Sequence, residues 1–316
     1  MINTLSGHPE GDELDVMVQS EAVENALDGL GYSHSRAYCG LNLEHIRKLL
    51  EKDPPDLVFN LVESLDGKGS LIHLPAWLLE IYSIPFTGSP ACSLMVTTDK
   101  VRTKEILREH GIPTPDWMLP RKPGKPDPGK RYILKPIWED GSAGITDESV
   151  VEGGGFDMKG FSGNGKFRDH FLEEYIDGRE FNLTLLAGPR GPEVMPVAEM
   201  CYVDYPADKP RILNFASKWE TDSFEYAKTI RTFDLPEEDR ELTTRMKEIS
   251  LQCWKVFEMK GYARVDFRVD RDHNPYVLEV NANPCISPDA GFVAACARGG
   301  VDYPTMIERI ILDANQ

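Results

Sequence analysis

The segment YARVDFRVDRDHNPYVLEVN, residues 262–281, constrains the fold more than any other stretch of the chain. Apolar and charged residues alternate in both arms around the turn-prone Asp272–His273 pair, the pattern of a β-hairpin with one face buried. Centred there, Val265 faces Val280, Phe267 faces Leu278 and Val269 faces Tyr276, all on one side. On the other side Arg264 faces Asn281, and Asp266 faces Glu279. Opposed side chains stand ~5 Å apart at Cβ, so one guanidinium, two carboxylates and one amide share a patch. Two carboxylates that close do not both ionise readily unless a cation joins them. Hard oxygen donors of this kind suit Mg²⁺, above all when phosphate oxygens complete its octahedron. A solvated face with incidental ion pairs is the plainer alternative; the apolar reverse face and the Asn near the Glu favour the metal.

The chain has the size for two or three domains: 316 residues, 41% hydrophobic and 28% charged, an ordinary globular composition. A net charge of -17 repels phosphate backbones and anionic lipid, so neither nucleic acid nor membrane is an expected partner. No apolar run approaches the ~18 residues of a membrane span, and the first residues lack the basic and apolar regions of a signal peptide. Six cysteines without C-x-x-C spacing read as reduced core thiols. A cytoplasmic location is expected.

Along the chain the first ninety residues alternate helix and strand. Val16, Val23, Ala26, Leu27 and Leu30 lie at helical spacing before Gly31, and Asn42 precedes a second helix with Leu43, Ile46, Leu49 and Leu50. DLVFNLV (56–62) and IPFTG (84–88) read as strands around a helix over about 71–80, a small parallel α/β unit. Such a unit normally opens on a buried strand, yet residues 1–15 are polar and turn-rich, so the opening strand is expected to be missing. Asp99 can cap a helix reaching His110, RYILKPI reads as a strand, and residues 152–166 form a Gly-rich, mobile loop. FLEEYI, FNLTLLA and VMPVAEM read as strands and 236–259 as a long helix, an α+β arrangement with antiparallel pairing. The expected division is 1–90, 91–187 and 188–316. GFSGNGK (160–166) has the spacing of a phosphate-binding loop, but Phe167 stands where a Ser or Thr should hold Mg²⁺ and no apolar strand precedes it, so it reads as a polar loop.

With the hairpin, VFNLVES, IPFTG, the Lys of TTDK, GIPTP, ILKP with GSAG, LEEYIDGREF, ASKW, ARVDF and LEVNANP form an ordered set over residues 56–284. In that order they resemble the ATP-grasp superfamily, and within it the D-alanine–D-alanine ligase-like family. The resemblance implies an ATP-grasp fold, with an N-terminal parallel α/β domain followed by two α+β subdomains that clamp ATP. It implies that Lys100 and Lys135 reach the phosphates and that Gly141, Ser142 and Gly144 form a small loop closing over them. Glu173, Tyr175 and Ile176 would make the adenine hinge, with Glu180 on the ribose. Lys218 would meet the γ-phosphate. Asp266, Glu279 and Asn281 would ligate Mg²⁺, two ions being expected, and Arg264 would steady the oxyanion. The implied reaction is ATP-dependent: a carboxylate becomes an acyl phosphate, an amine attacks, and phosphate leaves. A homodimer carries over from the family as an expectation only.

The substrate half departs from the family pattern. NPCISPDAG places Cys285 where the family has Gly, Ala290 in place of a Ser, and Gly291 in place of a Leu. Glu63 stands where a His is common, Trp219 follows Lys218 in place of a Tyr, and Glu13 matches the amine-contacting Glu only loosely. A site built to bind a polar group rejects the usual ligand when a hydroxyl is lost. A ligase joining another amino-acid-like carboxylate and amine is therefore expected, with authentic D-alanine–D-alanine ligation as the alternative. A phosphotransferase that needs no amine and a non-catalytic nucleotide-binding module are the readings from other classes. Cys285 has no base motif beside it and is not read as a nucleophile.

Overall fold

The computed structural model describes residues 1–4, 12–122, 124–163 and 165–315. The front unit does open on a strand. β1 (Ile2–Asn3) pairs in parallel with β2 (Tyr38–Cys39) across the helix α1 (Asp12–Leu30). Two buried residues among polar neighbours are too short a run to be read from sequence. α2 (Leu43–Lys52) and α3 (His73–Ile81) follow. The expected strands at 56–62 and 84–88 shrink to extended segments joined by one parallel bridge, Val58↔Phe86. Pro85 has no N–H with which to lengthen a ladder, and the Asn60 N–H turns to the Thr87 hydroxyl instead, at 3.0 Å. The Met1 ammonium donates to Phe59 O (2.7 Å) and Leu61 N–H to Met1 O (2.9 Å), so the two segments still extend the β1–β2 layer.

Next come α4 (Ala91–Thr98) and α5 (Lys100–Glu109), whose N-terminus is capped by the Asp99 carboxylate accepting from Arg102 N–H. β3 (Trp117–Met118), β4 (Arg131–Pro136), β5 (Val150–Glu152) and β6 (His170–Glu174) make an antiparallel sheet in the order β3-β6-β4-β5. The Gly-rich stretch expected to be a loop instead contains a short helix, α6 (Met158–Gly163). Phe156, Phe161 and Phe167 anchor it, with ring centroids 5.5 and 6.0 Å apart in successive pairs.

The large sheet follows: β7 (Arg179–Leu186), β8 (Glu193–Val194), β9 (Ala198–Tyr202), β10 (Thr229–Thr232), β11 (Tyr262–Val269) and β12 (Pro275–Asn281). Its order is β10-β9-β7-β11-β12, with β8 beside β7. α7 (Phe215–Trp219) and α8 (Phe224–Lys228) precede β10; α9 (Arg240–Val256) precedes β11; α10 (Gly291–Arg298) and α11 (Tyr303–Ala314) end the chain. The single strand expected over 194–200 is divided between β8 and β9, with Pro196 in the break. β7 pairs with β11 along its whole length, from Arg179↔Val269 to Leu186↔Tyr262. The step from one sheet to the other thus falls at 175–178, not after 187. Ala91, Leu94, Leu107 and Ile112 also pack into the large sheet's core.

The hairpin forms with Arg264↔Asn281, Val265↔Val280 and Asp266↔Glu279 as expected, but a bulge then shifts the register. Phe267 opposes Val277 and Val269 opposes Pro275, so the expected Phe267–Leu278 and Val269–Tyr276 pairs do not form. The physical reason is burial: the extra residue turns Val277 inward beside Val280, both at most 1% exposed, and leaves Leu278 only half-buried. Phe181, Leu183, Val265 and Phe267 form one apolar face, covered by Leu242, Met246, Ile249 and Cys253 of α9. Replacing Phe267, wholly buried at the bulge, with Ala should cost about 3–5 kcal/mol. Urea denaturation should show that loss; a cost under ~1 kcal/mol would mean that the bulge, not the ring, sets this packing.

Candidate active site

The polar face of the large sheet collects the charges. Residues opposed across strands share a face, so Asn281–Arg264–Thr184, Glu279–Asp266–Asn182 and Arg268–Glu180 stand in successive rows. Arg264 grips Asp266 with both arms, Nε to Oδ1 and Nη2 to Oδ2 at 2.8 Å each, and its Nη2 lies 3.6 Å from Glu279 Oε1. Asn182 Nδ2 donates to Asp266 Oδ1 at 2.8 Å. Asn281 Oδ1 accepts from the Asn283 N–H at 2.9 Å. Burial pushes the Glu279 carboxyl up, but Lys100, then Arg264, Lys218 and Lys135, outweigh it and hold the group below its ordinary range. Among the described residues no group of three or more acidic, His or Cys side chains could hold a metal. Two opposed carboxylates and an amide nevertheless match the donor set of Mg²⁺, which takes one or two carboxylates and leaves other positions to substrate phosphate.

Lysines approach from three elements. Lys100 begins α5 behind its Asp99 cap and donates to Glu139 O and Asp140 Oδ1, both at 2.7 Å. Burial lowers its pKa, while Asp140 and Glu279 raise it by more, so the ammonium is retained. Lys135 on β4 pairs with Glu173 on β6, and Glu173 also pairs with Lys104, one turn beyond Lys100. Glu173 and Lys104 are wholly buried. Burial pulls Lys104 down to about 8 against the attraction of Glu173. Its ammonium also donates to Thr114 Oγ1 (2.8 Å), and that hydroxyl to Val277 O (2.7 Å), which ties the small sheet to the hairpin. Lys218 on α7 forms no ion pair among the described residues. Burial and then Arg264 lower its pKa, with Glu279, Asp266 and Glu180 pulling the other way.

The GSAG segment is a left-handed turn, with φ of 65° at Gly141, 63° at Ser142 and 73° at Gly144. Ser142 Oγ donates to Leu213 O at 2.6 Å and Trp219 Nε1 to Gly141 O at 2.9 Å. The loop is thereby stitched to the segment that carries Lys218. Tyr175 follows β6, and its hydroxyl meets Arg268 Nη2 at 3.1 Å and the Arg211 backbone at 3.2–3.3 Å. Ile176 lies half-buried beside it. Glu180 is buried, accepts from the Tyr202 hydroxyl at 2.5 Å and lies 3.3 Å from Arg268 Nη1. Arg268, Tyr202, Asn182 and Lys104 were not among the residues expected here. Arg268 and Asn182 had a signal, each lying one alternation from an expected residue, Asp266 on β11 and Glu180 on β7, and Lys104 lies one helical turn from Lys100; Tyr202 joins through cross-strand register that no local motif marks.

The front unit supplies another wall. Asp15 of α1 accepts from the Cys285 thiol (2.8 Å) and the Ser287 hydroxyl (2.5 Å). Gln19 donates to Glu63 at 2.7 Å and accepts from Ile286 N–H at 3.0 Å. Glu63 and Cys285 are thus near each other, whereas the side chain of Glu13 lies outside the described residues. Burial, then the Asp15 charge, pushes the Cys285 thiol well above its usual range, which makes it a hydrogen-bond donor and not a thiolate. Ala290 precedes α10 and offers its N-terminus no side-chain cap.

Comparison with known proteins gives the same architecture. The family described as D-ala D-ala ligase C-terminus matches residues 166–312. An uncharacterized protein, y4sG, of Sinorhizobium fredii is 32% identical over 268 residues, 82% of this chain and 76% of that protein. The D-alanine–D-alanine ligase of Aquifex aeolicus is 29% identical over 297 residues, 92% of each. The solved D-alanine–D-alanine ligase of Bacillus anthracis complexed with ATP has a TM-score of 0.74 at 24% identity, over 99% of this chain and 96% of that one, a likeness of fold. Fold and relatives together define an ATP-grasp enzyme, an ATP-dependent carbon–nitrogen ligase that forms ADP. Within that class the chain belongs to the D-alanine–D-alanine ligase-like family.

Because Glu173 is wholly buried between two cations, Lys104→Met should leave it under-compensated and cost about 3 kcal/mol. Equilibrium denaturation reads this, and a loss under ~1 kcal/mol would mean that Lys135 alone suffices.

Proposed function

We propose that the protein joins an amino-acid-like carboxylate to an amine through an acyl phosphate, with a substrate pair other than two D-alanines. The observation that carries this reading is the substrate wall. Asp15 is spent on Cys285 and Ser287, and Ala290 has no hydroxyl to offer a ligand. The relatives named as D-alanine–D-alanine ligases make D-alanine the reference pair against which this is judged.

In this reading Lys100, Lys135 and Lys218 neutralise the triphosphate, and the Gly141–Ser142–Gly144 turn covers it with backbone N–H groups. Tyr175 and Ile176 form the hinge against adenine, Glu173 fixes Lys135 beside it, and Glu180 faces the ribose with its orientation held by Tyr202 and Arg268. Asp266, Glu279 and Asn281 would hold Mg²⁺, which supplies charge neutralisation on the transferring phosphoryl group. Arg264 turns its fork from Asp266 toward the oxyanion formed when the amine attacks. No side-chain nucleophile takes part. Both reactants are positioned and their charges balanced, which is where such transfers gain their rate. No helix of the described residues is long and apolar enough to cross a membrane, and the six cysteines are free, in keeping with action in the cytoplasm on small molecules.

Phosphate release from Mg·ATP, measured over single amino acids and pairs with mass spectrometry of products, tests the proposal. Release should need two substrates and yield their condensed product, with D-alanine alone slow; rapid synthesis of the D-alanine dipeptide would overturn the divergent specificity. Glu279→Ala should lower kcat at least ~100-fold by removing a metal ligand and catalytic charge. Chelation should stop the wild-type reaction and added Mg²⁺ restore it. Near-normal turnover of the Glu279 variant would remove the metal role of the hairpin.

A further inference from the structure

Arg231 deepens the ligase reading and rests on it. It lies on β10, the edge strand of the large sheet, opposite Met200; Met200 is opposite Glu180, and Glu180 opposite Arg268. Opposed residues share a face, so Arg231 stands at the edge of the face that carries Arg264, Asp266 and Glu180. Its guanidinium lies against Gly291, the first residue of α10. A Cβ at Gly291 would come 3.2 Å from Nη2 and 3.4 Å from Cζ and Nε, so the glycine makes the room the arginine occupies. Among the described residues Arg231 forms no ion pair. The residue is exposed at the rim of this face, as a group that meets a ligand must be; partial desolvation and then Arg264 lower its pKa, and Asp289 raises it.

An arginine set beside a second arginine and left without a carboxylate in contact is built for an anion from elsewhere. The adjoining helix N-terminus, uncapped by Ala290, adds N–H donors in the same place. The lysines that face the phosphates come from α5, β4 and α7, whereas Arg231 belongs to the end of the face next to the 285–291 wall. We infer that Arg231 holds the carboxylate of the amine substrate, which is therefore an α-amino acid or a peptide with a free carboxylate. The fork of the arginine takes the role that a side-chain hydroxyl at position 290 could have had.

The test uses the whole enzyme with Mg²⁺ and a non-hydrolysable ATP analogue, and reads binding. Phenylglyoxal modification of Arg231 is followed by peptide mass mapping in the presence of the common L-amino acids, D-alanine, D-glutamate and their α-carboxamides. At least one amino acid should slow the modification tenfold or more while its carboxamide does not; equal rates throughout overturn the assignment. With that amino acid as amine substrate, Arg231→Met should raise its KM at least thirtyfold and Arg231→Lys by less. The KM of the carboxamide should change less than threefold. Equal losses for acid and amide would make Arg231 a structural residue. Failure of the ligase reading looks different: protection without any condensed product leaves the anion site standing and removes the ligase, and condensation without protection does the reverse.

Discussion

Two carboxylates on adjacent strands, Asp266 opposite Glu279, set the terms for the rest of the molecule. Left alone, half-buried like charges would take up protons or drive the strands apart. Here cations from four elements act on Glu279, Arg264 from the hairpin itself, Lys100 from a helix start, Lys135 from the small sheet and Lys218 from α7, and Arg264 also grips Asp266. Each cation needs its own placement, and those placements account for much of the architecture. The Asp99 cap starts α5 at Lys100. The buried Lys104–Glu173–Lys135 group locks helix and small sheet together. The hydrogen bonds from Ser142 and Trp219 bind the GSAG turn to the Lys218 segment. The two sheets thus meet over this balance of charge.

The back of the same sheet explains why the balance can be held rigidly. Phe181, Leu183, Val265 and Phe267 are wholly buried against α9, so the polar residues between them are carried on strands with little freedom to shift. The bulge after Asp266 serves both faces. It keeps Val277 and Val280 inward, and it leaves Asp266 and Glu279 opposed. It also brings Tyr276 across from Arg268. The front unit joins this frame through α1 and α11 and through Asp15, whose bonds to Cys285 and Ser287 make the 285–287 segment a joint between the front unit and the large sheet's domain.

Much of this was legible in the sequence, because the strongest signals are local. Alternation over 262–281 carried the hairpin and its polar set, Asp99 before Lys100 carried a helix start, and the order of short motifs carried the family. The losses have equally local causes. β1 is two residues long, the strand at 84–88 is limited by Pro85, and the helix at Met158–Gly163 is held by three phenylalanines within a glycine-rich run that propensity reads as loop. A hairpin without a bulge and one with it share the same alternation near the turn, and only the packing of Val277 against the core separates them.

By itself the sequence determined which side chains would carry charge and, along β11, on which face they would lie, since a period of two leaves no other choice once one face is apolar and no bulge interrupts it. Only the tertiary structure decided which charges meet. The pairing of Glu173 with Lys104 and Lys135, of Glu180 with Tyr202 and Arg268, of Asp15 with Cys285, and the seating of Arg231 on Gly291 join residues from 22 to 270 positions apart. Such contacts are set by how sheets and helices dock. Docking follows the fit of apolar faces far from the charges themselves, and no spacing along the chain records it.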